Sequence, residues 1–284
     1  MKVQALVALK AEYPLPVLLQ VAGLARSTFF YHQARLGSED PKEALKTAIT
    51  DVFTANHGRY GHRRVHTELV KQGWVVAKKT VLKLMRSLAL RCKVRRRKRY
   101  NSFQGEQGVI APNLLNRKFD ADAPNQKWVT DVTEFRVGDR KLYLSPVMDL
   151  FNRQIISYSV GSSPNLELTN SSLHKAIACL EPGQKPLVHS DQGFQYQHAS
   201  WRLLLQEAGA TQSMSRKGNC YDNAVMENYF GHLKEELFHH VRFLSTEALA
   251  MALHEYIHWY NNERISTKLK GLSPVQYRAQ TQTA

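Results

Sequence analysis

The sequence has 284 residues, 43% of them hydrophobic, which is long enough for one to three domains with cores of their own. Its three cysteines are widely spaced and no run of 18 apolar residues occurs, which excludes a disulfide framework and a membrane-spanning helix and predicts a cytoplasmic protein. The formal net charge of +15 lies at the front, since residues 1–100 hold 21 Lys and Arg against 6 Asp and Glu, whereas residues 101–284 hold 18 of each. A basic front on a neutral body predicts a polyanionic partner.

Residues 1–38 are predicted to form a helix-turn-helix-like segment. The apolar stretch 16–22 is typical of a short helix, Gly23 ends it, and Ser27 is placed to cap a second helix that runs to His32. With Arg26 at the junction, this order is typical of units that bind DNA. A plain helical hairpin is the alternative.

Residues 39–92 are predicted to form a second helical DNA-binding domain of the helix-turn-helix type. Apolar residues recur at helical spacing in 42–56, in the stretch that ends at Gln72, and in 77–90. The basic residues are left for the outside, where they can bind phosphate or form an ordinary solvated face. We expect DNA contacts from five of them: Arg59, Arg63, Arg64, Lys78 and Lys79.

Residues 93–123 are predicted to be a basic linker. The run 93–99 contains six Lys and Arg, and such a run of like charges is ordered only when a partner neutralises it. Gly, Asn, Gln and Pro follow without a sustained period. We expect this segment to lie along a DNA backbone.

Residues 124–240 are predicted to form an α/β core. The pattern indicates five strands, at 127–137, 141–149, 154–160, 187–190 and 211–215, with helices at 165–180 and 199–208. Three antiparallel strands followed by alternating helix and strand predict a mixed sheet flanked by helices. Residues 241–284 are predicted to be a helical extension, with helices at 246–261 and 273–279.

Three carboxylates are the candidate catalytic and metal-binding residues. Asp131 lies in a Thr-rich strand, Asp191 follows a short apolar strand, and Glu227 lies inside a helix that Asp222 or Asn223 can cap. Two strand-borne Asp and one helix-borne Glu can meet at one sheet edge as oxygen ligands of Mg²⁺. Two such ions can activate an attacking oxygen and stabilise a leaving oxygen in phosphoryl transfer.

Basic residues near these carboxylates are candidate DNA contacts. Lys234 lies two helical turns after Glu227 on the same edge, where it can touch a phosphate or serve only as a surface charge. Arg216 and Lys217 precede a polar loop that is predicted to contact a DNA strand. Asp222 is a weaker candidate for the third metal ligand, since its place at a helix start favours capping.

The carboxylates and their flanks resemble the Asp-Asp-Glu pattern of the retroviral-integrase superfamily. The stretches Trp-Val-Thr-Asp-Val-Thr (128–133), His-Ser-Asp-Gln-Gly-Phe-Gln-Tyr (189–196) and Tyr-Asn-Asn-Glu-Arg (260–264) are similar to transposases of the insertion-sequence-three family. The similarity is greatest to second-reading-frame products of its one-hundred-fifty subgroup. It covers nearly the whole chain, from residue 26 to residue 277.

The resemblance implies a ribonuclease-H-like catalytic core that uses two Mg²⁺ or Mn²⁺ ions. It implies DNA strand cleavage and strand transfer by a 3′-hydroxyl, with Asp131, Asp191 and Glu227 as the triad and Lys234 as the family's basic residue after the Glu. The implied partners are the terminal inverted repeats of a transposon, target DNA, further copies of the chain and a first-reading-frame product. No membrane partner is expected.

Two other functions stay open from the sequence alone. A ribonuclease-H-like nuclease would cut DNA without joining strands. A truncated DNA-binding partner or regulator of a full-length transposase would bind without metal-dependent chemistry.

Overall fold

The computed structural model describes residues 2–36, 40–92, 110–217 and 219–282. These form a three-helix N-terminal unit, a second three-helix domain, and an α/β core that continues into C-terminal helices. The predicted basic run 93–99, and the linker as far as residue 109, lie outside the described residues.

The N-terminal unit consists of α1 (Lys2–Leu9), α2 (Leu15–Ala22) and α3 (Arg26–Ala34). Gly23 ends α2 with a φ of 60°, a left-handed conformation that glycine adopts easily, and the chain enters α3 within three residues. Ala25 occupies the N-cap of α3 in place of the predicted Ser27, so this helix begins earlier than expected. The core of the unit contains Val3, Leu6, Leu18, Leu19 and Phe29.

The second domain consists of α4 (Glu43–Ala55), α5 (His62–Lys71) and α6 (Lys78–Ser87), close to the three predicted helices. Their apolar faces meet in the interior, with Ile49, Val65, Leu69 and Val81 fully buried. The opposite side of α6 is exposed and basic: it carries Lys78, Lys79, Lys83 and Arg86.

The core contains a mixed sheet of six strands. They are β1 (Lys127–Thr130), β2 (Thr133–Val137), β3 (Arg140–Asp149), β4 (Ile155–Gly161), β5 (Leu187–Ser190) and β6 (Thr211–Met214). The order is β2-β3-β1-β5-β6, with β4 also paired to β3. β3 pairs antiparallel with β1, β2 and β4, whereas β1–β5 and β5–β6 are parallel. The predicted mixed α/β fold is confirmed.

The sixth strand arises because the predicted first strand is interrupted at Asp131 and Val132. Both halves pair with β3 in one continuous register, in which Thr130 lies opposite Val147 and Thr133 lies opposite Leu144. The interruption faces Ser145 and Pro146, and proline has no N–H to donate to a neighbouring strand. The break frees the backbone at Asp131.

Helices cover both faces of the sheet. Trp128 and Val188 pack on one face against α7 (Leu166–Ile177) and α9 (Ala199–Glu207). On the other face, the neighbouring Val129 packs with residues of α10 (Ala224–Leu233) and α11 (Thr246–Asn262). Successive strand residues point to opposite faces, so the adjacent pair Trp128 and Val129 anchors both layers. A short helix, α8 (Phe194–Gln197), connects β5 to α9.

The C-terminal region is helical, as predicted. A π-helical turn (Lys234–Phe238) follows α10, and α11 is followed by a 3₁₀ turn (Thr267–Leu269) and α12 (Pro274–Gln282). Ser245 caps α11 by accepting a hydrogen bond from Ala248 N at 3.1 Å. No helix in the described ranges is long and apolar enough to cross a membrane.

The described part of the predicted linker, residues 110–123, packs against the core. Leu115 is buried, and the backbone N–H groups of Leu114 and Leu115 both donate to Ser213 Oγ, at 3.0 and 3.1 Å. This stretch therefore belongs to the core, which corrects the expectation that the linker lies along DNA over its whole length.

Candidate active site

Asp131 and Asp191 leave the sheet side by side. β1 and β5 are parallel neighbours, with Val129 paired to His189, and each Asp comes two residues after its member of that pair. The carboxyl edge of parallel strands is where α/β folds place ligands. Both aspartates line one open cavity, together with Val132, Glu134, Tyr143, Pro164, Gly193, Gln195 and Tyr196.

Local hydrogen bonds orient the two carboxylates. Asp131 Oδ1 accepts from the N–H of Val132 at 2.7 Å, and Asp191 Oδ1 accepts from the N–H of Gly193 at 2.9 Å. A Cβ at position 193 would lie 3.0 Å from Asp191 Oδ1 and 2.9 Å from Gln195 Oε1. A side chain at position 193 would therefore press on both the Asp191 carboxylate and the Gln195 amide, which favours glycine here.

Glu227 approaches the same edge from α10. Asn223 occupies the N-cap of this helix, and its Nδ2 donates to the carbonyl oxygen of Thr130 at 3.3 Å, which ties the helix start to the end of β1. Glu227 is four residues further on and shares that side of the helix. Asn223 therefore stands at the N-cap position, as predicted, but its side chain makes no capping hydrogen bond and holds the helix to the sheet.

The charges of Asp191 and Glu227 both act on Asp131. Burial raises the pKa of Asp131 well above its usual value, and the negative charges of Asp191 and Glu227 raise it further. Burial also raises the pKa of Asp191. The nearby charge of Lys234 works in the opposite direction on Asp131. Because like charges disfavour the ionised form of Asp131, a cation bound at this edge would stabilise the carboxylates.

The donor set suits a hard divalent cation, since carboxylate oxygens are the ligands that Mg²⁺ prefers. Within the described residues, no three His, Cys, Asp or Glu side chains are already gathered closely enough to hold an ion. Asp131 and Asp191 share the cavity, and Glu227 is half-buried beside it. By their chemistry, Asp131 and Asp191 could hold such a cation, and a further oxygen ligand could come from Glu227.

Lys234 lies where the α10 helix changes into the π-helical turn. Its Nζ is 5.3 Å from the centre of the Phe135 ring in β2, and its positive charge partly opposes the rise in the pKa of Asp131 that burial causes. Its contact with a DNA phosphate stays a prediction.

Glu134 and Tyr143 also line the cavity, although the sequence pattern predicts neither of them as a site residue. Tyr143 Oη and Lys141 Nζ both donate to Glu134 Oε2 at 3.0 Å. In a continuous strand, Asp131 and Glu134 would lie on opposite faces of the sheet. The alternating pattern of the sequence does not predict the interruption between them, and so it does not predict that both line one cavity. The signal was Pro146 in the opposing strand.

Asp222 neither caps α10 nor lines the cavity. Its buried carboxylate accepts from Arg216 Nε and Arg117 Nε, both at 2.9 Å, and from Asn113 Nδ2 at 2.9 Å. The pKa of Asp222 lies well below its usual value, and the hydrogen bond from the Arg216 side chain is the largest cause. The predicted capping role is wrong, because two arginines occupy this carboxylate.

The family comparisons match both halves of this architecture. Residues 121–220 and 227–281 match two models described as integrase core domains, and residues 40–98 match an HTH-like domain. The chain is 48% identical over 273 residues to the InsK transposase of insertion sequence element IS150 from Escherichia coli (strain K12), covering 96% of each chain. It is 53% identical to a transposase-like protein of Haemophilus influenzae over 72% of this chain and 93% of that one.

A more distant relative is the InsF transposase of insertion sequence IS3A from Escherichia coli (strain K12), at 33% identity over 94% of this chain and 95% of the other. The chain belongs to the insertion-sequence-three family of transposases. It is a DNA transposase with an integrase core, and its enzyme class is that of the polynucleotidyl transferases. The resemblance that the sequence motifs indicated is confirmed.

Two of the transposase's predicted DNA contacts are engaged inside the chain. Arg59 Nε donates to the carbonyl oxygen of Glu236 at 3.3 Å, and its guanidinium lies 4.5 Å from the centre of the Trp259 ring. Arg64 Nη1 lies 3.6 Å from Glu236 Oε1. Burial lowers the pKa of both arginines. The structure therefore gives both arginines internal partners, and their contact with DNA stays a prediction.

The other predicted DNA contacts differ in whether their side chains are bound inside the chain. Arg63, Lys78, Lys79 and Lys217 are exposed, and their contact with DNA stays a prediction. Arg216 is also exposed, but its guanidinium is bound to Asp222 through Nε and Nη2. Arg216 thus fixes the loop that precedes α10, whatever else it contacts.

Proposed function

We propose that Asp131, Asp191 and Glu227 are the catalytic carboxylates of this transposase and hold two Mg²⁺ or Mn²⁺ ions. Asp131 is assigned to both ions, Asp191 to one and Glu227 to the other. The observation that supports this assignment is the effect of Asp191 and Glu227 on Asp131 at the carboxyl edge of the sheet. When bound, the ions act as Lewis acids at the attacking and leaving oxygens of a phosphodiester.

The transposase would use one kind of displacement twice. In the first step, a water oxygen attacks the phosphorus at a transposon end and the bond to the 3′ oxygen breaks, which leaves a 3′-hydroxyl. In the second step, that hydroxyl attacks a target phosphodiester, and the displaced target strand leaves with its own 3′-hydroxyl. The chain's residues contribute position and charge, and they form no covalent bond to DNA.

The supporting residues fit this chemistry. Lys234, beside Asp131 and Glu134, is proposed to bind a phosphate oxygen of the DNA strand. Gly193 and Val132 hold the two aspartates through backbone hydrogen bonds, so the carboxylates are oriented before DNA arrives.

The remaining parts of the chain are proposed to bring DNA to the core. Residues 39–92 would bind it through Arg63, Lys78 and Lys79, and Lys217 would contact it near the cavity. The DNA partners would be transposon terminal repeats and target DNA, and joining two ends requires several copies of the chain. A first-reading-frame product is proposed as a further partner.

The test uses the full chain, duplexes that carry the element's terminal repeats, a supercoiled target plasmid, and Mg²⁺ or Mn²⁺. The wild type should release a 3′-hydroxyl end and join it to the plasmid. Asp131→Asn, Asp191→Asn and Glu227→Gln should each lower the rate of both steps by at least about 10²–10³-fold, the cost of losing one charge-stabilising group. Gel quantification of nicked and joined products measures both steps.

The matched control is Asp139→Asn, which neutralises an exposed carboxylate in the hairpin between β2 and β3 and should keep full activity. DNA binding by fluorescence anisotropy should be unchanged in all four variants. Full strand transfer by Asp131→Asn would refute the assignment, and nicking by the wild type without any joined product would indicate a nuclease.

A further inference from the structure

The exposed face of α3, in the N-terminal unit, has a composition suited to duplex DNA. We propose that α3 enters the major groove and reads base edges, as a second DNA-binding element besides the HTH-like domain matched at 40–98. This inference does not depend on the catalytic assignment, since it concerns binding alone.

The backbone of the unit has the geometry of a helix-turn-helix. α2 and α3 are joined by a three-residue turn with Gly23 in the left-handed conformation, where the N–H of Leu24 donates to the carbonyl of Leu19 at 3.0 Å. Phe29 is fully buried in the unit's core beside Leu18 and Leu19. Phe29 thus fixes the rotation of α3 and turns its opposite side to solvent.

That solvent side carries groups that recognise base edges. The exposed residues on one half of the helix circumference are Arg26, Ser27, Phe30, Tyr31 and Ala34, followed by Arg35 at the C-cap, whereas the exposed His32 lies outside this half. Arginine can bind guanine through two hydrogen bonds, serine can bond to any base, and phenylalanine or alanine can contact the thymine methyl group. A helix face of this kind supplies sequence readout in addition to charge.

The two arginines are pre-oriented by aromatic neighbours one turn away. The Arg26 guanidinium lies 5.6 Å from the centre of the Phe30 ring, and that of Arg35 lies 4.3 Å from the centre of the Tyr31 ring. Stacking on a ring restricts a long side chain, which reduces the entropy lost when it binds a base. Both aromatic rings are large and partly exposed, at 42% and 55%.

Charge complementarity favours DNA over a protein partner. From residue 13 to residue 38 the sequence contains no Asp or Glu, so nothing on α2 or α3 repels phosphate. The exposed face of α6 is different, because the helix that carries its cations Lys78, Lys79, Lys83 and Arg86 contains no aromatic residue on which they could stack. The contrast assigns backbone contacts to α6 and base contacts to α3.

The test is a selection of duplexes from a random-sequence library by the full chain, in EDTA so that catalysis is silent. The wild type should enrich a sequence motif. Phe30→Ala and Arg26→Lys should lose the preference at the bases that α3 contacts and bind the selected duplex roughly 5- to 150-fold more weakly, the range for one base contact. Their affinity for a random duplex should change little.

Salt dependence separates the two kinds of contact. Arg26→Lys keeps the charge but loses the planar fork, so the slope of affinity against KCl concentration should stay the same. The matched comparison is Lys83→Ala on α6, which should weaken binding to all duplexes alike and reduce that slope by about one. Circular dichroism confirms that each variant is folded.

Three outcomes would overturn the proposal. The wild type could enrich no motif, the α3 variants could enrich the unchanged motif with unchanged affinity, or they could lose selected and random duplexes equally. A second copy of the chain is the rival occupant, through the exposed Val17 and Val21 of α2. If Phe30→Ala and Val21→Asp both lower the oligomeric mass and leave the motif intact, that surface joins copies and does not read DNA.

Discussion

At the scale of single residues, the structure gives internal partners to two predicted DNA contacts, Arg59 and Arg64, and to one predicted cap, Asp222. Asp222 illustrates the change, because its side chain is fully buried and bound by arginines from two segments of the chain. Arg117 belongs to the segment after the linker, and Arg216 to the loop before α10. One carboxylate thereby fixes both segments close to the helix that carries Glu227.

This anchor predicts a specific pH dependence of stability. The pKa of Asp222 is lowered in the folded state and is about 3.9 for an unfolded Asp, so its contribution is present above about pH 4 and is lost as the pH falls towards the folded value. At neutral pH, Asp222→Asn should reduce the free energy of unfolding by about 1.5–3 kcal/mol, as expected for hydrogen bonds to a charged group.

Urea unfolding of the wild type and of Asp222→Asn at several pH values measures this difference. The gap between the two proteins should shrink below about pH 4, where the unfolded Asp takes up a proton. A gap that does not change with pH would contradict the role of the carboxylate charge.

At the scale of elements, the π-helical turn after α10 is held by a buried ion pair. Glu236 accepts from Arg264 Nε at 2.9 Å, from Arg264 Nη2 at 2.7 Å and from Tyr256 Oη at 2.8 Å. The turn closes with a bond from His239 N to the carbonyl of Lys234 at 2.8 Å. Lys234 is the first residue of this turn, so the ion pair stabilises the segment that begins at Lys234.

Removing one partner of this pair should cost more than removing both. Arg264→Met leaves a buried carboxylate with less compensation and should lower the free energy of unfolding by about 3–5 kcal/mol, whereas Arg264→Met with Glu236→Gln should recover part of that loss. Denaturant unfolding of the single and double variants measures the coupling.

The control for this pair is Glu68→Gln, which breaks a surface contact with Lys71 at 2.9 Å and should cost about 0.5 kcal/mol or less. Equal costs for Arg264→Met and Glu68→Gln would show that the buried pair is not stabilising the turn.

At the scale of the whole molecule, the second helical domain and the catalytic core share one interior. A single cluster of buried side chains runs from Ile49 in α4 to Ile265 after α11. Tyr60 crosses between them, since its hydroxyl accepts from the N–H of Ile265 at 2.9 Å and donates to the carbonyl of Glu263 at 3.2 Å. A DNA-binding domain joined in this way is held in place relative to the active site.

Tyr60→Phe should therefore destabilise both parts together. It leaves the buried N–H of Ile265 without its acceptor, which costs about 1–3 kcal/mol. Calorimetry should show one unfolding transition for these two parts, moved to lower temperature, and the exposed Tyr13→Phe should leave it unchanged. Two separate transitions, of which only one moves, would contradict a shared interior.

Much of this protein can be predicted from its sequence, for local physical reasons. Helices α4 to α6 and α11 follow from apolar residues at helical spacing, and the strands follow from short apolar runs between turn residues. The position of Asp191 at the end of a strand was equally readable, because the strand and its Gly-containing turn are adjacent in the chain.

Other features depended on residues that are distant in sequence. The break in the first strand depends on Pro146 in the opposing strand, and the internal roles of Arg59 and Arg64 depend on Glu236. A basic residue before a helix looks the same whether it meets a phosphate or a buried carboxylate. Only the packed chain distinguishes the two cases.

The sequence by itself determined the family, the mixed α/β class and the three candidate carboxylates, because each rests on a local pattern or on motif spacing. The tertiary structure alone decided which charges meet. Asp222 is an anchor because Arg117, 105 residues away in the sequence, binds its carboxylate together with Arg216. Glu134 lines the cavity because the first predicted strand is interrupted where it pairs with β3. Electrostatic roles belong to contacts, and contacts form only when the chain has folded.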